Sequence, residues 1–155
     1  EIRPSISYFH QSKYVSDLAN GNICVAIGFS GDVLQAMTSA RQANNGVHLG
    51  YSIPREGSTV AVDMVAIPKA APHLDAAYAY LNYLLDPKVM ANISNAVKYP
   101  NGNAASLPYI DQALRDNPAA YPSQAVLDSL FTIQTLSPSA MRASTRLWTR
   151  VTSGK

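Results

Sequence analysis

Cysteine, histidine and charge are all scarce in this chain, and each scarcity removes a class of function. A single cysteine, Cys24, excludes an internal disulfide. Because it lies inside an apolar run, it is expected to be a small, inert core residue. His10, His48 and His73 are far apart and follow no metal-ligand spacing. Charged residues make up only 14% of the 155, which argues against disorder and against a coiled coil. The net charge is +2, and no run of Lys or Arg exists to track a phosphate backbone, so no nucleic-acid partner is expected. No apolar stretch reaches the length of a membrane span. There is neither a P-loop nor a G-x-G-x-x-G turn, and no internal repeat.

What is there centres on residues 23–32, ICVAIGFSGD. Ile23 to Gly28 are apolar or small and rich in β-branched side chains, the pattern of a strand buried on both faces. Phe29, Ser30, Gly31 and Asp32 follow, and then VLQAMTSARQ with helical spacing. A strand that turns on a glycine into a helix with a carboxylate at its mouth places an aromatic and an acid together. In open α/β sheets that edge is where ligands gather. G-F-S-G is one residue short of a nucleophile elbow, and no histidine is evidently placed to activate Ser30.

The rest reads as strands separated by helices, hence α/β. Strands are expected over 5–9, 23–28, 47–54 and 59–68. In the third, Val47, Leu49, Tyr51 and Ile53 share one face. A helix capped by Ser12 carries Tyr14, Val15 and Leu18 and stops at Asn20-Gly21. The helix after the turn runs from about Val33 to Gln42 and ends at Asn44-Asn45-Gly46. Leu74, Ala77, Tyr78, Leu81, Leu84 and Leu85 follow the 3.6 period. Asp86 caps and Pro87 opens the next helix, with Val89, Met90, Ile93 and Val97 as its buried stripe. Residues 98–110 are turn-rich, with Tyr99 at the entry. Short helical pieces follow at 111–116 and after Ser123. Ser137-Pro138 starts the last helix, on which Met141, Thr145, Trp148 and Val151 share a face and Arg142, Arg146 and Arg150 form the wet side. The opening EIRPSISYF reads as an interior strand with no signal peptide ahead of it, so an N-terminal part is expected to be missing.

Two carboxylates stand out. Asp63 interrupts TVAVDMVAIP, where a charge is expensive unless it is paired, solvated or open to a ligand. Asp32 is either a helix-start acid or a ligand contact. With Phe29 and Tyr99 they supply what a diamine requires: an acid for each ammonium, and aromatic faces for the methylenes and for cation–π attraction.

The strings DLANGNICVAIGFSGDVLQA, SIPREGS, VDMVAIPK, AYAYLNYLLDPKVMANIS, KYPNGNAASLP and TRLWTRVTSGK resemble the periplasmic polyamine-binding proteins of bacterial ABC uptake systems, above all the putrescine-binding members. The resemblance implies a type II periplasmic-binding-protein fold, of which this chain is the C-terminal portion. Residues 1–54 and 100–155 would belong to the second lobe, and 59–97 would return to the first. It also implies that Phe29, Asp32, Asp63 and Tyr99 line the ligand box. Ala61 and Val62 stand where close members carry bulky aromatics, which removes a wall and leaves room for a longer or different amine.

The function so implied is binding of putrescine or a related polyamine in the periplasm and delivery to a membrane ABC permease, with no catalysis and no cofactor. The alternative is a sensor module of the same fold for another amine or amino-acid-like ligand. Without its first lobe, the chain is expected to expose apolar surface and to dimerise or exchange segments.

Overall fold

Residues 2–154 are described in a computed structural model. One helix with two apolar flanks organises the interior. Helix α2 (Ser30–Ala43) turns Val33 and Ala36 toward Tyr14, Leu18 and Ala19 of α1 (Lys13–Ala19). Its other flank sets Leu34 against Ala91 of α4 (Pro87–Val97), Leu114 of α5 (Gln112–Arg115), Ile110 and Ala120. Met37 touches both groups. Ala36 and Ala91 are wholly buried; small side chains at these positions let the helices approach closely.

The helix ends follow local chemistry, with one substitution of roles. Asp86 Oδ1 accepts from the amides of Lys88 (2.9 Å) and Val89 (3.1 Å), and Pro87 opens α4 as expected. Ser137 Oγ accepts from Ala140 N at the start of α7 (Pro138–Ser153). At α1, however, Ser12 makes no side-chain cap. The imidazole Nδ1 of His10 accepts from the amides of Ser12 (3.1 Å) and Lys13 (3.0 Å) instead. Asn44 ends α2 and Lys98 ends α4, both in the left-handed conformation. The turn at Lys98 leads directly into Tyr99. A 3-10 segment (Ala104–Tyr109) then packs on α4 through a buried polar knot, in which Asn101 donates to Ser94 Oγ and accepts from Ser106 Oγ. Satisfied in this way, Ser94 and Ser106 are almost fully buried. The stripe expected on α4 is corrected accordingly: Ala91 and Ser94 are its buried residues, while Ile93 and Val97 stay exposed.

The expected strands do not form. Among the described residues there is no β-ladder, only an isolated parallel bridge between Thr59 and Phe131. The expected α/β class is therefore not seen: the described residues form helices joined by extended segments. A strand is defined by a neighbour to which its amides can bond, and apart from the bridge at Thr59 these segments have none alongside. Period-two alternation nonetheless survives in 47–54: Val47, Leu49, Tyr51 and Ile53 are half-buried and the residues between them exposed. In 23–28, Ile23 and Ala26 pack on the α1–α2 core, whereas Val25 and Ile27 face outward, Ile27 completely. Cys24, expected in the core, is exposed. A pattern meant for burial on two faces is covered here on only one.

The remaining helices sit at the periphery. Helix α3 (Leu74–Leu84) forms where the periodicity puts it, with Ala77, Leu81 and Leu84 half-buried, but none of its residues is buried. Residues 61–66 are exposed throughout. Helix α6 (Gln124–Leu127) is a single turn. Helix α7 is held by the N-terminal arm: Arg3 donates to the carbonyls of Val151 (3.0 Å) and Thr152 (3.3 Å) and lies over Phe9, whose ring meets Trp148 edge to face at 5.1 Å. A cation at the carbonyl end of a helix is favourably placed.

Around the parallel bridge, Val60 N donates to Phe131 O (2.9 Å) and Phe131 N to Ser58 O (3.1 Å). Gly57 enters it with φ +91°, and a Cβ there would overlap the carbonyl oxygen of Ser129. Gly57→Ala is therefore expected to destabilise by about 1–3 kcal/mol or more. Gly102→Ala, whose methyl meets open space, is expected to be near neutral. Urea midpoints of the two variants check this.

Candidate ligand site at the mouth of helix α2

The first turn of α2 carries Ser30, Gly31 and Asp32, with Phe29 as the residue before it. Two glycines let two aromatic rings lie against this turn. A Cβ at Gly28 would overlap the ring of Tyr14, and one at Gly31 would overlap the ring of Tyr99. Both hydroxyls then reach the same carboxylate. Tyr14 Oη donates to Asp32 Oδ2 at 2.6 Å, and Tyr99 Oη donates to Asp32 Oδ1 at 2.7 Å. Those lengths are typical of a hydroxyl bonded to an anion. Tyr14 Oη also accepts from the amide of Phe29 at 3.1 Å. The Phe29 ring projects outward, 60% exposed.

Of the four residues singled out from the sequence, the structure thus brings Phe29, Asp32 and Tyr99 together. Asp32 is half-buried, and its role is that of a shared acceptor. Asp63 lies apart in the exposed 61–66 stretch, and among the described residues no hydrogen bond or ion pair engages it. Ser30 Oγ has no hydrogen bond to a histidine among the described residues, and no cluster there of three or more His, Cys, Asp or Glu could hold a metal ion. The surface hollows at Ala71–Ala76 and along Leu136–Val151 are not lined by Asp32.

Tyr14 is the member the sequence reading missed. Its spacing assigns it to the buried face of α1, where it sits 5% exposed. The signal was its hydroxyl, since a tyrosine pointed into a core has to find a polar partner.

The electrostatics suit an acceptor of cations. A carboxylate offers about four lone-pair directions, and the two tyrosines use one on each oxygen, so acceptor capacity remains for an ammonium. Burial, and next the bond to Asp32, pushes the Tyr14 phenol up to about 12. The same causes in the same order raise Tyr99 further still. A second tyrosine–aspartate pair braces α1 from behind. Tyr8 donates to Asp17 at 2.7 Å, and Lys13 bonds the same oxygen. Burial and then Asp17 push the Tyr8 phenol up to about 12. The Lys13 bond first, and then that of Tyr8, holds Asp17 below the usual carboxylate range.

Comparison with known proteins shows the family of the chain. Residues 2–122 match the family described as bacterial extracellular solute-binding protein. The chain belongs to that family. It is 51% identical over its full length to the putrescine-binding periplasmic protein SpuD of Pseudomonas aeruginosa strain UCBPP-PA14. It is 49% identical, again over its full length, to the putrescine-binding periplasmic protein PotF of Escherichia coli K12. Identity to a putrescine/agmatine-binding protein of Pseudomonas aeruginosa PAO1 is 46% over 99% of the chain. In each case the chain spans 42% of the relative's length. No helix among the described residues is long and apolar enough to cross a membrane.

Raised phenol values keep the neutral tyrosines favoured in the folded state. The stability they contribute is complete below the ordinary tyrosine value near 10 and is lost as pH rises through about 12. In an absorbance titration at 295 nm, Tyr8, Tyr14 and Tyr99 are expected to ionise last, with unfolding. Tyr14→Phe and Tyr99→Phe should each remove part of that late amplitude. An unchanged curve in both variants would contradict the hydrogen-bonded pair.

Proposed function

We propose that this chain is the C-terminal portion of a periplasmic binding protein that takes putrescine or a related polyamine and hands it to an ABC permease without chemical change. The observation that carries the reading is the Asp32 carboxylate held by Tyr14 and Tyr99 beside the exposed Phe29 ring. The identity to putrescine-binding proteins along the whole chain supports it. In this reading Asp32 receives one ammonium. Phe29 and the face of Tyr99 cover the methylenes, and Asp63 receives the second ammonium once a ligand brings the two acids to opposite ends of one molecule. Contacts from both lobes favour a closed form, and the permease selects that form.

The same reading assigns residues 1–54 and 100–155 to the second lobe and 59–97 to a segment returning to a first lobe. Within that segment α4 packs back on α2 and the 3-10 turn, while among the described residues α3 has α4 as its one substantial helical neighbour. Val62, Met64, Val65, Leu74, Tyr78 and Leu85 are among the exposed apolar side chains left for a first lobe to cover. Because large exposed apolar patches seek cover, the chain alone should sediment as a dimer or larger species. A monomer at all concentrations would count against this assignment.

A chimera carrying these 155 residues in place of the matching part of the SpuD relative provides the test, titrated calorimetrically with putrescine, cadaverine, spermidine and agmatine, and with amino acids and simple monoamines. Binding of a polyamine supports the proposal. Binding only of an amino acid or another amine supports a sensor module. Asp63→Asn is expected to weaken binding most, by about 2–5 kcal/mol, because it removes one partner of a desolvated charge pair. Phe29→Leu should lose on the order of 1 kcal/mol, mainly cation–π attraction, and Asp32→Asn should fall between. Unliganded melting should barely change for Asp63→Asn. An early melt with normal putrescine binding would make Asp63 a structural residue.

A further inference from the structure

Tyr14 belongs to α1, in the wall behind the site, and its ring is buried. Its hydroxyl nevertheless has two partners in the site itself. It donates to Asp32 Oδ2 and accepts from the Phe29 amide. One oxygen thereby sets both the rotamer of the carboxylate and the backbone of the aromatic residue three positions before it. The Phe29 amide lies just ahead of the first turn of α2, where the helix's own carbonyls supply no acceptor. Without Tyr14 that amide and one carboxylate oxygen would each lose a partner together.

We propose that Tyr14 is the positioning residue of this site: it fixes Asp32 and Phe29 relative to each other and does not itself contact the ligand. The proposal rests on the polyamine reading for what the site binds. The positioning geometry itself stands on Tyr14, Phe29, Asp32 and Gly28. Gly28 is part of the device, since any side chain there would overlap the Tyr14 ring and displace the hydroxyl. Tyr99 supplies the other oxygen of Asp32 with a donor from the far side, so Tyr14→Phe leaves the acid tethered but free to swing. The ring, and with it the α1–α2 core, remains in place.

Two measurements separate positioning from general support. In the chain itself, amide hydrogen exchange by NMR should show the Phe29 amide exchanging about tenfold faster in Tyr14→Phe, with residues 34–43 of α2 unchanged. In the chimera described above, Tyr14→Phe should weaken putrescine binding about tenfold when Asp32 is present and have little further effect in an Asp32→Asn background. Equal losses in both backgrounds, or an unaltered Phe29 amide, would overturn the proposal. If the unaltered chimera binds no polyamine, the polyamine reading fails. The positioning role is then decided by the Phe29 amide and by a stability cycle between Tyr14→Phe and Asp32→Asn in the chain alone, where additive effects would overturn it.

Discussion

The bond pair on Asp32 is the constraint from which most of this structure can be traced. Its donors lie 18 and 67 residues away in sequence, on opposite flanks of α2. To bring them to one carboxylate, α1 has to pack on one side of α2, and the chain leaving α4 has to return to the other. The two apolar clusters sit beneath these two approaches, and Met37 belongs to both. Removing water from the phenols strengthens their bonds to the acid, and the packing that removes it also orders the site. Packing and site are therefore one arrangement.

The helices were legible because their determinants are local. Asp86-Pro87, Ser137-Pro138 and the 3.6 period of 74–85 each act within a turn or two, and each produced the helix it implied. The cap of α1 was misassigned to Ser12 because serine is the common choice; a histidine two residues upstream does the work here. The strands were legible only as alternation. Residues 47–54 kept their faces, yet a ladder depends on a neighbouring backbone, which no segment encodes by itself. Cys24 and Ile27 show the consequence, being apolar in sequence and exposed in place.

The site was legible in the same uneven way. Phe29 and Asp32 are bound together by a turn four residues long, so a pattern can find them. Tyr99 was found as an aromatic at the entry of a turn-rich segment and again by the resemblance, and its place against Gly31 gives the physical reason for it. Tyr14 escaped because periodicity explains its ring completely and is silent about its hydroxyl. Asp63 is legible as an anomaly, a charge in an apolar run. In the structure that charge is met by exposure, since the whole 61–66 stretch faces outward.

The parallel bridge at Thr59 and Phe131 has a mechanical side. Two stretches of chain that leave the helical body at different points are locked in register there by a reciprocal pair of hydrogen bonds, with Gly57 pressed against Ser129. The segments leading to α3 and to α7 therefore set out from one shared anchor, with residues 58–60 and 131 held at a fixed register.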